Sequence, residues 1–275
     1  MSVVWIDGSL KAADEARVSP FDHGLLTGDG VFETLRVTRG VPFAARRHHD
    51  RLARSATAMG LPVPPSELVG AALADVVAAN HLVEGRLRVT LTGGPAPLGS
   101  DRADVAPTLI VAGGPLPNWP ASADVATVLW PRNERGALAG IKTISYGENV
   151  IALARARQAG AGEAIFANLA GNLCEGTGTN VFIGTGGRLV TPPLSSGCLA
   201  GVTRELLLEV ADIVEEDVPA AALATADEAF LTSSTRDVQP IRRVDAGSLP
   251  ACPGPLTAAA AFAFRQLLAA DDLDP

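Results

Sequence analysis

Residues 138–146 read LAGIKTISY and place a lysine between Ile141 and Ile144. The chain has 275 residues and 22 lysines and arginines, of which only Lys11 and Lys142 are lysines. Arginine also supplies positive charge, but it cannot lose its proton and act as a nucleophile. An apolar environment disfavours the charged ammonium form of a lysine. Lys142 is therefore a candidate nucleophilic amine, and the alternative is a lysine that reaches solvent at a strand end.

Composition excludes several classes of protein. Hydrophobic residues make up 47% of the chain, which is enough for a packed core and excludes a disordered chain. The net charge of −8 argues against a nucleic acid or an anionic membrane surface as partner. Neither a secretory leader nor an apolar run of roughly 18 residues is found. Cys174, Cys198 and Cys252 lack CxxC spacing, which disfavours zinc and disulfides and favours a cytoplasmic location.

Hydrophobic periodicity predicts a mixture of strands and helices. A Pro- and Gly-rich stretch, GGPLPNWP at 113–120, indicates a linker. We therefore predict two α+β domains, a small one over 1–115 and a large one over 123–275, joined by a linker at 116–122. The predicted helices are 48–59, 66–80 with Ser66 as N-cap, 146–159, 203–214 and 256–270. The predicted strands are 3–7, 31–37, 86–92, 108–112, 125–130, 163–168, 180–183, 188–190 and 229–232.

Two motifs of the second half could bind a charged heterocycle and its phosphate. In LCEGTGTNVF (173–182), Glu175 could pair with a protonated ring nitrogen of a cofactor, and the alternative is an exposed loop acid. In TPPLSSGCLAGVTRE (191–205), Val202 and Thr203 open a predicted helix. The free N–H groups at such a terminus bind phosphate, although a threonine there is often only a capping residue.

Further polar residues are weaker candidates. FLTSSTRDVQP (230–240) offers hydroxyl groups after a strand, as an anion site or as an ordinary polar turn. Arg51, on the first predicted helix, is a candidate ligand for a phosphate or carboxylate. His48 and His49 could suggest a metal-dependent hydrolase. Consecutive helical positions point in different directions, so we predict no metal site.

The order of these motifs is specific. With SPFDHGLLTGDGVFETLRV (19–37) and HHDRLARSA (48–56) before them, they resemble the class IV aminotransferase family, the fold type IV pyridoxal-phosphate enzymes, over roughly residues 2–245. The resemblance implies a small α/β N-terminal domain and a larger C-terminal domain with a mixed, barrel-like sheet and helices. It also implies pyridoxal 5′-phosphate as cofactor, a small-molecule amine as substrate and a homodimer.

The resemblance assigns roles to individual residues. Lys142 would form the Schiff base, and Glu175 would pair with the pyridine nitrogen. Leu199 would pack under the ring. The phosphate would be held by Arg51, Val202, Thr203 and Ser234. Tyr146, the only tyrosine, would either face the ring hydroxyl or pack against other side chains.

Within this family the sequence favours 4-amino-4-deoxychorismate lyase, which releases 4-aminobenzoate and pyruvate in folate synthesis. The reasons are LAGIK at the lysine, Phe32 where the D-amino-acid enzymes have tyrosine, and the glycine-rich loop Gly93–Gly99. Phe32 and Arg36 share a strand face, and Arg36 is a candidate ligand for a substrate carboxylate, or else forms a structural ion pair. The alternatives are a D-amino-acid or branched-chain transaminase and a non-catalytic protein that binds the cofactor.

Overall fold

The computed structural model describes residues 2–275, which form two compact units. The first unit is the chain up to Pro117 together with Ile141–Tyr146 and Ala270–Pro275. The second unit is Asn118–Gly140 and Gly147–Ala269. The first boundary between the two units, after Pro117, lies within the predicted linker at 116–122. The segment that carries Lys142 joins the first unit, whereas the sequence assigned it to the large domain.

The first unit is an antiparallel sheet covered by helices. Its strand order is β2-β1-β6-β5-β3-β4. The hydrophobic core lies between one face of this sheet and the helices α2 and α3, with Val31, Leu35 and Leu52 at its centre. The strands are β1 (Val3–Ile6), β2 (Ser9–Ala12), β3 (Gly30–Thr38), β4 (Val41–Pro42), β5 (Gly85–Thr92) and β6 (Leu109–Gly114), and the helices are α1 (His23–Leu26), α2 (Ala45–Ala58) and α3 (Ser66–Ala79).

The second unit has a larger, mixed sheet in the order β12-β11-β10-β13-β14-β7-β8-β9, with β15 paired to β14. Parallel pairs join β11 to β12, β14 to β7 and β7 to β8. Its strands are β7 (Ala123–Thr127), β8 (Glu163–Ala167), β9 (Leu173–Gly176), β10 (Asn180–Thr185), β11 (Arg188–Thr191), β12 (Ile213–Glu215), β13 (Glu228–Ser233), β14 (Asp237–Val244) and β15 (Gly247–Ser248). Its helices are α4 (Gly147–Gln158), α5 (Val202–Val210), α6 (Ala222–Thr225) and α7 (Pro255–Ala269).

The predicted α+β fold class is confirmed, and most predicted elements are present. The prediction was wrong at the end of α5, because Ala211 is extended (φ −135°) and the strand β12 follows where helix was expected to Val214. Pro65, not Ser66, is the N-cap residue of α3. The predicted strand at 125–130 ends at Thr127, and Leu129 is fully exposed. Among residues 2–275, no helix is both long and apolar enough to cross a membrane.

Candidate functional site

Lys142 is fixed in the first unit by backbone hydrogen bonds to β3. The N–H of Phe32 donates to the carbonyl of Lys142 (2.9 Å), and the N–H of Ile144 donates to Gly30 (2.9 Å). The N–H of Lys142 donates to the hydroxyl of Ser55 on α2 (3.2 Å). A Cβ on Gly30 would lie 2.8 Å from Cδ1 of Ile144 in this segment and 2.5 Å from the carbonyl oxygen of Leu91 on β5, so only glycine fits between them. The segment 141–146 therefore pairs with β3 through one antiparallel bridge, Val31 with Thr143, which sets the register of Lys142.

The side chain of Lys142 lies over the ring of Phe32. Its Nζ atom is 4.4 Å from the ring centroid, within the range of a cation–π contact. Tyr146 packs against the same ring in an edge-on geometry, with the centroids 5.2 Å apart. The structure thus brings together three residues that the sequence singled out. For Tyr146, this contact is the packing alternative named above, and its role toward a cofactor stays a prediction.

The structure adds Arg88, which the sequence did not single out. Its guanidinium carbon is 3.9 Å from the centroid of Phe32, and its Nε donates to the hydroxyl of Thr90 (3.1 Å). Thr90 pairs with Phe32 and Arg88 with Thr34 across β3 and β5, so these side chains share one face of the sheet. The alternation in RLRVT (86–90) carries this signal, but the register of the two strands is needed to use it.

Arg51 is buried in a cluster with Glu33 and His48. Glu33 lies on the core face of β3, and its two oxygens accept from Nε (2.7 Å) and from a terminal nitrogen (2.6 Å) of Arg51. Nδ1 of His48 lies 2.7 Å from the same carboxylate. This bidentate geometry fixes the plane of the guanidinium. The role of Arg51 toward phosphate stays a prediction, and Glu33 is a partner that the sequence did not reveal.

The two titratable groups of this cluster have shifted pKa values. Burial alone would raise the pKa of Glu33, but the Arg51 guanidinium and the hydrogen bonds from Arg51 and His48 hold it far below its usual range. Burial lowers the pKa of His48, and the nearby Glu33 carboxylate offsets only part of this effect. The folded cluster therefore holds an ionised Glu33, a charged Arg51 and a neutral His48 at neutral pH.

Other predicted residues of the first unit have local partners. Arg36 forms an ion pair with Glu84 (3.2 Å), the structural alternative named above, and the cations close to Phe32 are Lys142 and Arg88. Nε2 of His49 lies 3.0 Å from the carbonyl oxygen of Pro64. Within residues 2–275, no group of three or more histidine, cysteine and carboxylate side chains is arranged to hold a metal ion.

In the second unit, Glu175 and Leu199 are in direct contact. Glu175 is on β9, not in the turn that follows, and one of its oxygens accepts from the N–H of Leu199 (2.8 Å). The side-chain amide of Asn180 donates to the carbonyl of Leu199 (2.8 Å). Leu199 is therefore held at both backbone polar groups, beside a carboxylate that is mostly shielded from solvent.

The phosphate candidates of the second unit lie near this contact. Asn180 pairs with Thr232 across β10 and β13. The β13–β14 turn that contains Ser234 therefore lies at the same end of these strands as the contact between Asn180 and Leu199. The helix α5 starts at Val202, one residue before the predicted start, and Thr203 is buried in its first turn. The N-cap residue of this terminus is Gly201, which has no side chain to cap it. Its N–H groups and the helix dipole form an anion-binding arrangement.

Comparisons with known proteins agree on one family. The family model "Amino-transferase class IV" matches residues 30–244. A putative branched-chain-amino-acid aminotransferase of Methanocaldococcus jannaschii is 34% identical over 253 residues, which cover 88% of each chain. Aminodeoxychorismate lyase of Bacillus subtilis is 28% identical, with 96% of this chain and 94% of that protein covered.

Solved structures show the same fold. A branched-chain aminotransferase of Thermoproteus uzoniensis, crystallised with norvaline, superposes with a TM-score of 0.89 at 30% identity, and covers 97% of this chain and 94% of its own. A hypothetical aminotransferase of Mycobacterium tuberculosis in its pyridoxal-phosphate-bound form superposes with a TM-score of 0.85 at 28% identity, and covers 98% of this chain and all of its own. These matches extend over both compact units.

The buried Glu33–Arg51 pair makes the first testable prediction. Replacing Glu33 with Gln leaves the buried guanidinium of Arg51 without its counter-charge. We expect the free energy of unfolding to fall by about 3–5 kcal/mol, measured by urea denaturation. The matched control is Glu84→Gln, which removes the more exposed partner of Arg36 and should cost at most about 1 kcal/mol. Equal losses in the two variants would contradict the prediction.

The first prediction extends to pH, because stability also depends on pH through this cluster. Below about pH 6.5 an unfolded histidine takes up a proton that the folded His48 does not bind, so the folded state loses stability as the pH falls. Protonation of Glu33 in the unfolded chain adds a second loss below about pH 4.5. The urea midpoint should therefore fall between pH 7.5 and 5.5. It should fall less in His48→Gln, and an identical slope in that variant would contradict this account.

Proposed function

Because the chain belongs to the class IV aminotransferase family, we propose that it is an amino-acid transaminase that uses pyridoxal phosphate. The observation that carries the proposal is the cluster on Phe32, where the amine of Lys142 and the guanidinium of Arg88 lie 4.4 and 3.9 Å from one ring centroid. A primary amine beside a fixed guanidinium suits a substrate that carries both an amino group and a carboxylate.

The residues fit the cofactor. The N-cap residue of α5, Gly201, has no capping side chain, so the N–H groups of the first turn can donate to a phosphate. Glu175 presents a carboxylate that can pair with a protonated pyridine nitrogen, with Leu199 held against it. We assign the phosphate to Val202, Thr203 and Ser234 of the second unit, and the role of Arg51 toward phosphate stays a prediction from the sequence. Leu199 would pack under the ring.

When bound, pyridoxal phosphate supplies an aldehyde that links to amines and a ring that withdraws electrons from the linked carbon. Lys142 would hold the cofactor through its amine, and the same amine would move protons at the substrate carbon. The carboxylate of Glu175 would stabilise the protonated, positively charged form of the ring nitrogen. Arg88 orients the substrate by its carboxylate, and Phe32 supports both cationic side chains.

The comparisons support a transaminase better than the lyase that the sequence favoured. The branched-chain relative is 34% identical and the lyase relative 28%, and the Thermoproteus structure is also a branched-chain aminotransferase. The glycine-rich loop was one argument for the lyase. Gly94 has a φ of +75°, and a Cβ there would lie 2.3 Å from the carbonyl oxygen of Ala106. Backbone packing alone thus requires this glycine, which therefore says little about the reaction.

We also propose that the protein is a homodimer. The first unit exposes Phe21, Leu25, Leu26 and Leu98, with Leu25 and Leu98 exposed by 69% and 75%. Their two segments are adjacent, because the N–H of Ala96 donates to the carbonyl of Phe21 and Nε2 of His23 lies 3.1 Å from the carbonyl oxygen of Pro97, and we infer that the four side chains form one apolar surface. Contiguous apolar patches of this kind are rare on monomers. The cytoplasmic location predicted from the sequence stays a prediction.

The second testable prediction concerns the amine. Incubation with pyridoxal phosphate should give a visible absorbance band, and borohydride should attach the cofactor permanently. Peptide mapping should place the label on Lys142. The variant Lys142→Ala should lose the label and about 10³-fold or more of the turnover, because no other group replaces the amine.

The chain offers a matched control for this experiment. Lys11→Arg removes the other lysine, which is on β2 at the exposed edge of the sheet. This variant should keep both the label and the activity. Label on Lys11, or full activity in Lys142→Ala, would contradict the assignment of Lys142.

The third prediction separates the two reactions. We expect amino-group exchange with one or more members of a panel of D- and L-amino acids in the presence of a 2-oxo acid. We expect no pyruvate from aminodeoxychorismate alone. The variant Arg88→Gln should raise KM for the amino acid, with a loss in kcat/KM of about 10- to 100-fold, because one charged hydrogen bond to the carboxylate is lost.

The opposite outcome is equally clear. Pyruvate released from aminodeoxychorismate without an amino donor, with no exchange on the panel, would establish the lyase and overturn the transaminase. As a control, Arg86→Gln changes an arginine of the same strand face beside Arg36. It should leave KM unchanged.

The fourth prediction concerns the apolar surface. The double variant Leu25→Asp/Leu98→Asp places charges on it and should shift the sedimentation coefficient from dimer to monomer at micromolar concentration. Val83→Asp is the matched control, since Val83 is an exposed apolar residue of the first unit outside this surface. It should remain dimeric. A dimer in the double variant, or a monomeric starting protein, would contradict the proposal.

A further inference from the structure

Arg132, in the segment between β7 and α4, lies against Glu175. Its Nε is 3.2 Å from one carboxylate oxygen of Glu175, and the two side chains are only 15% and 13% exposed. The other oxygen of Glu175 accepts the N–H of Leu199. Each oxygen of this carboxylate therefore faces a positively polarised group of the second unit. Neither the sequence motifs nor the comparisons assign a function to Arg132.

Arg132 is held in place by contacts that do not involve Glu175. Its guanidinium carbon lies 4.1 Å from the ring centroid of Phe166, a cation–π contact. A terminal nitrogen donates to Asn149 in the first turn of α4 (3.1 Å), and the backbone N–H donates to Ala167 (2.7 Å). The strand register pairs Phe166 with Glu175 across β8 and β9. Phe166, whose ring packs against Arg132, thus lies directly opposite Glu175 on the neighbouring strand.

Three titratable groups lie near the Arg132–Glu175 pair. Glu148 is exposed and lies 3.4 Å from Arg132, on the α4 side. Cys174 and Cys198 flank the Glu175–Leu199 contact. Burial, and then the negative charge of Glu175, raise the pKa of the Cys198 thiol to about 11 and that of Cys174 further still. Both thiols are neutral around neutral pH and add no charge beside Glu175, whereas Arg132 places a positive charge 3.2 Å from it.

We propose that Arg132 is a positioning residue that keeps Glu175 ionised and oriented for the ring nitrogen of pyridoxal phosphate. This inference rests on the function proposed above. A neighbouring positive charge favours the ionised form of a carboxylate, and a guanidinium fixed by an aromatic ring and an amide leaves that carboxylate little freedom to rotate. Without Arg132, Glu175 takes up a proton at higher pH and can no longer pair with a protonated ring.

The test measures binding of pyridoxine 5′-phosphate, which carries the ring and phosphate but cannot link to Lys142. Its dissociation constant is measured by fluorescence from pH 5 to 9. The affinity for pyridoxine 5′-phosphate should fall as the pH is lowered and Glu175 takes up a proton. In Arg132→Gln the midpoint of this fall should move up by about one pH unit or more, and Arg132→Lys should restore part of the shift because it keeps the charge. The phosphate titrates alike in every variant.

Two further variants serve as controls. Glu175→Gln should remove that part of the loss of affinity at low pH which depends on the carboxylate. Arg188→Gln breaks the exposed pair with Glu216 (3.0 Å) in the same unit and should leave the curve unchanged. Circular dichroism and the urea midpoint check that each variant folds. A purely structural role for Arg132 predicts weaker binding at every pH, with the midpoint unmoved.

The possible failures are distinguishable. A midpoint that stays in place in Arg132→Gln, while Glu175→Gln changes the curve, overturns the role of Arg132 alone. A wild-type curve in Glu175→Gln overturns the role of Glu175 and that of Arg132 with it. If the unaltered protein does not bind pyridoxine 5′-phosphate, the proposed function itself fails.

Discussion

The hydrogen bonds between β3 and the segment 141–146 fix the residue on which the proposed chemistry depends. The flanks of this segment belong to the second unit, yet the partners of Lys142 and Ile144 are Phe32 and Gly30 of the first. Pairing of this kind fixes both the height of the lysine along the strand and the side from which it projects. The absence of a side chain at Gly30 allows the approach, and the amine of Lys142 then lies over Phe32.

The two units stabilise their functional charges in the same way. In the first, Glu33 on the core face of β3 is neutralised by Arg51 from α2. In the second, Glu175 on β9 faces Arg132, whose position depends on Phe166. A buried carboxylate without such a partner would give up its charge. The structural difference lies in the remaining contacts. Glu33 is fully enclosed, whereas Glu175 is partly accessible and can also pair with a ligand.

The choice between lyase and transaminase shows how a sequence signal can mislead. Glycines at 93–99 resemble a loop of the lyases, but the left-handed φ and the tight packing of Gly94 explain that residue without reference to a substrate. Arg36 was the arginine selected from strand alternation, and it forms an ion pair with Glu84. The neighbouring strand provides Arg88 instead, because the β3–β5 register brings it next to Phe32.

Local patterns in the chain were sufficient for the α+β class, most helices and strands, the family and the single credible amine, because periodicity, helix starts and lysine scarcity are properties of neighbouring residues. Glu33, Arg88 and Arg132 could not be found in this way. Each acquires its role from a partner 18 to 56 positions away in the chain, through a strand register or a helix packed on a sheet. Such pairings are set when the core forms, since a buried charge must then find its counter-charge.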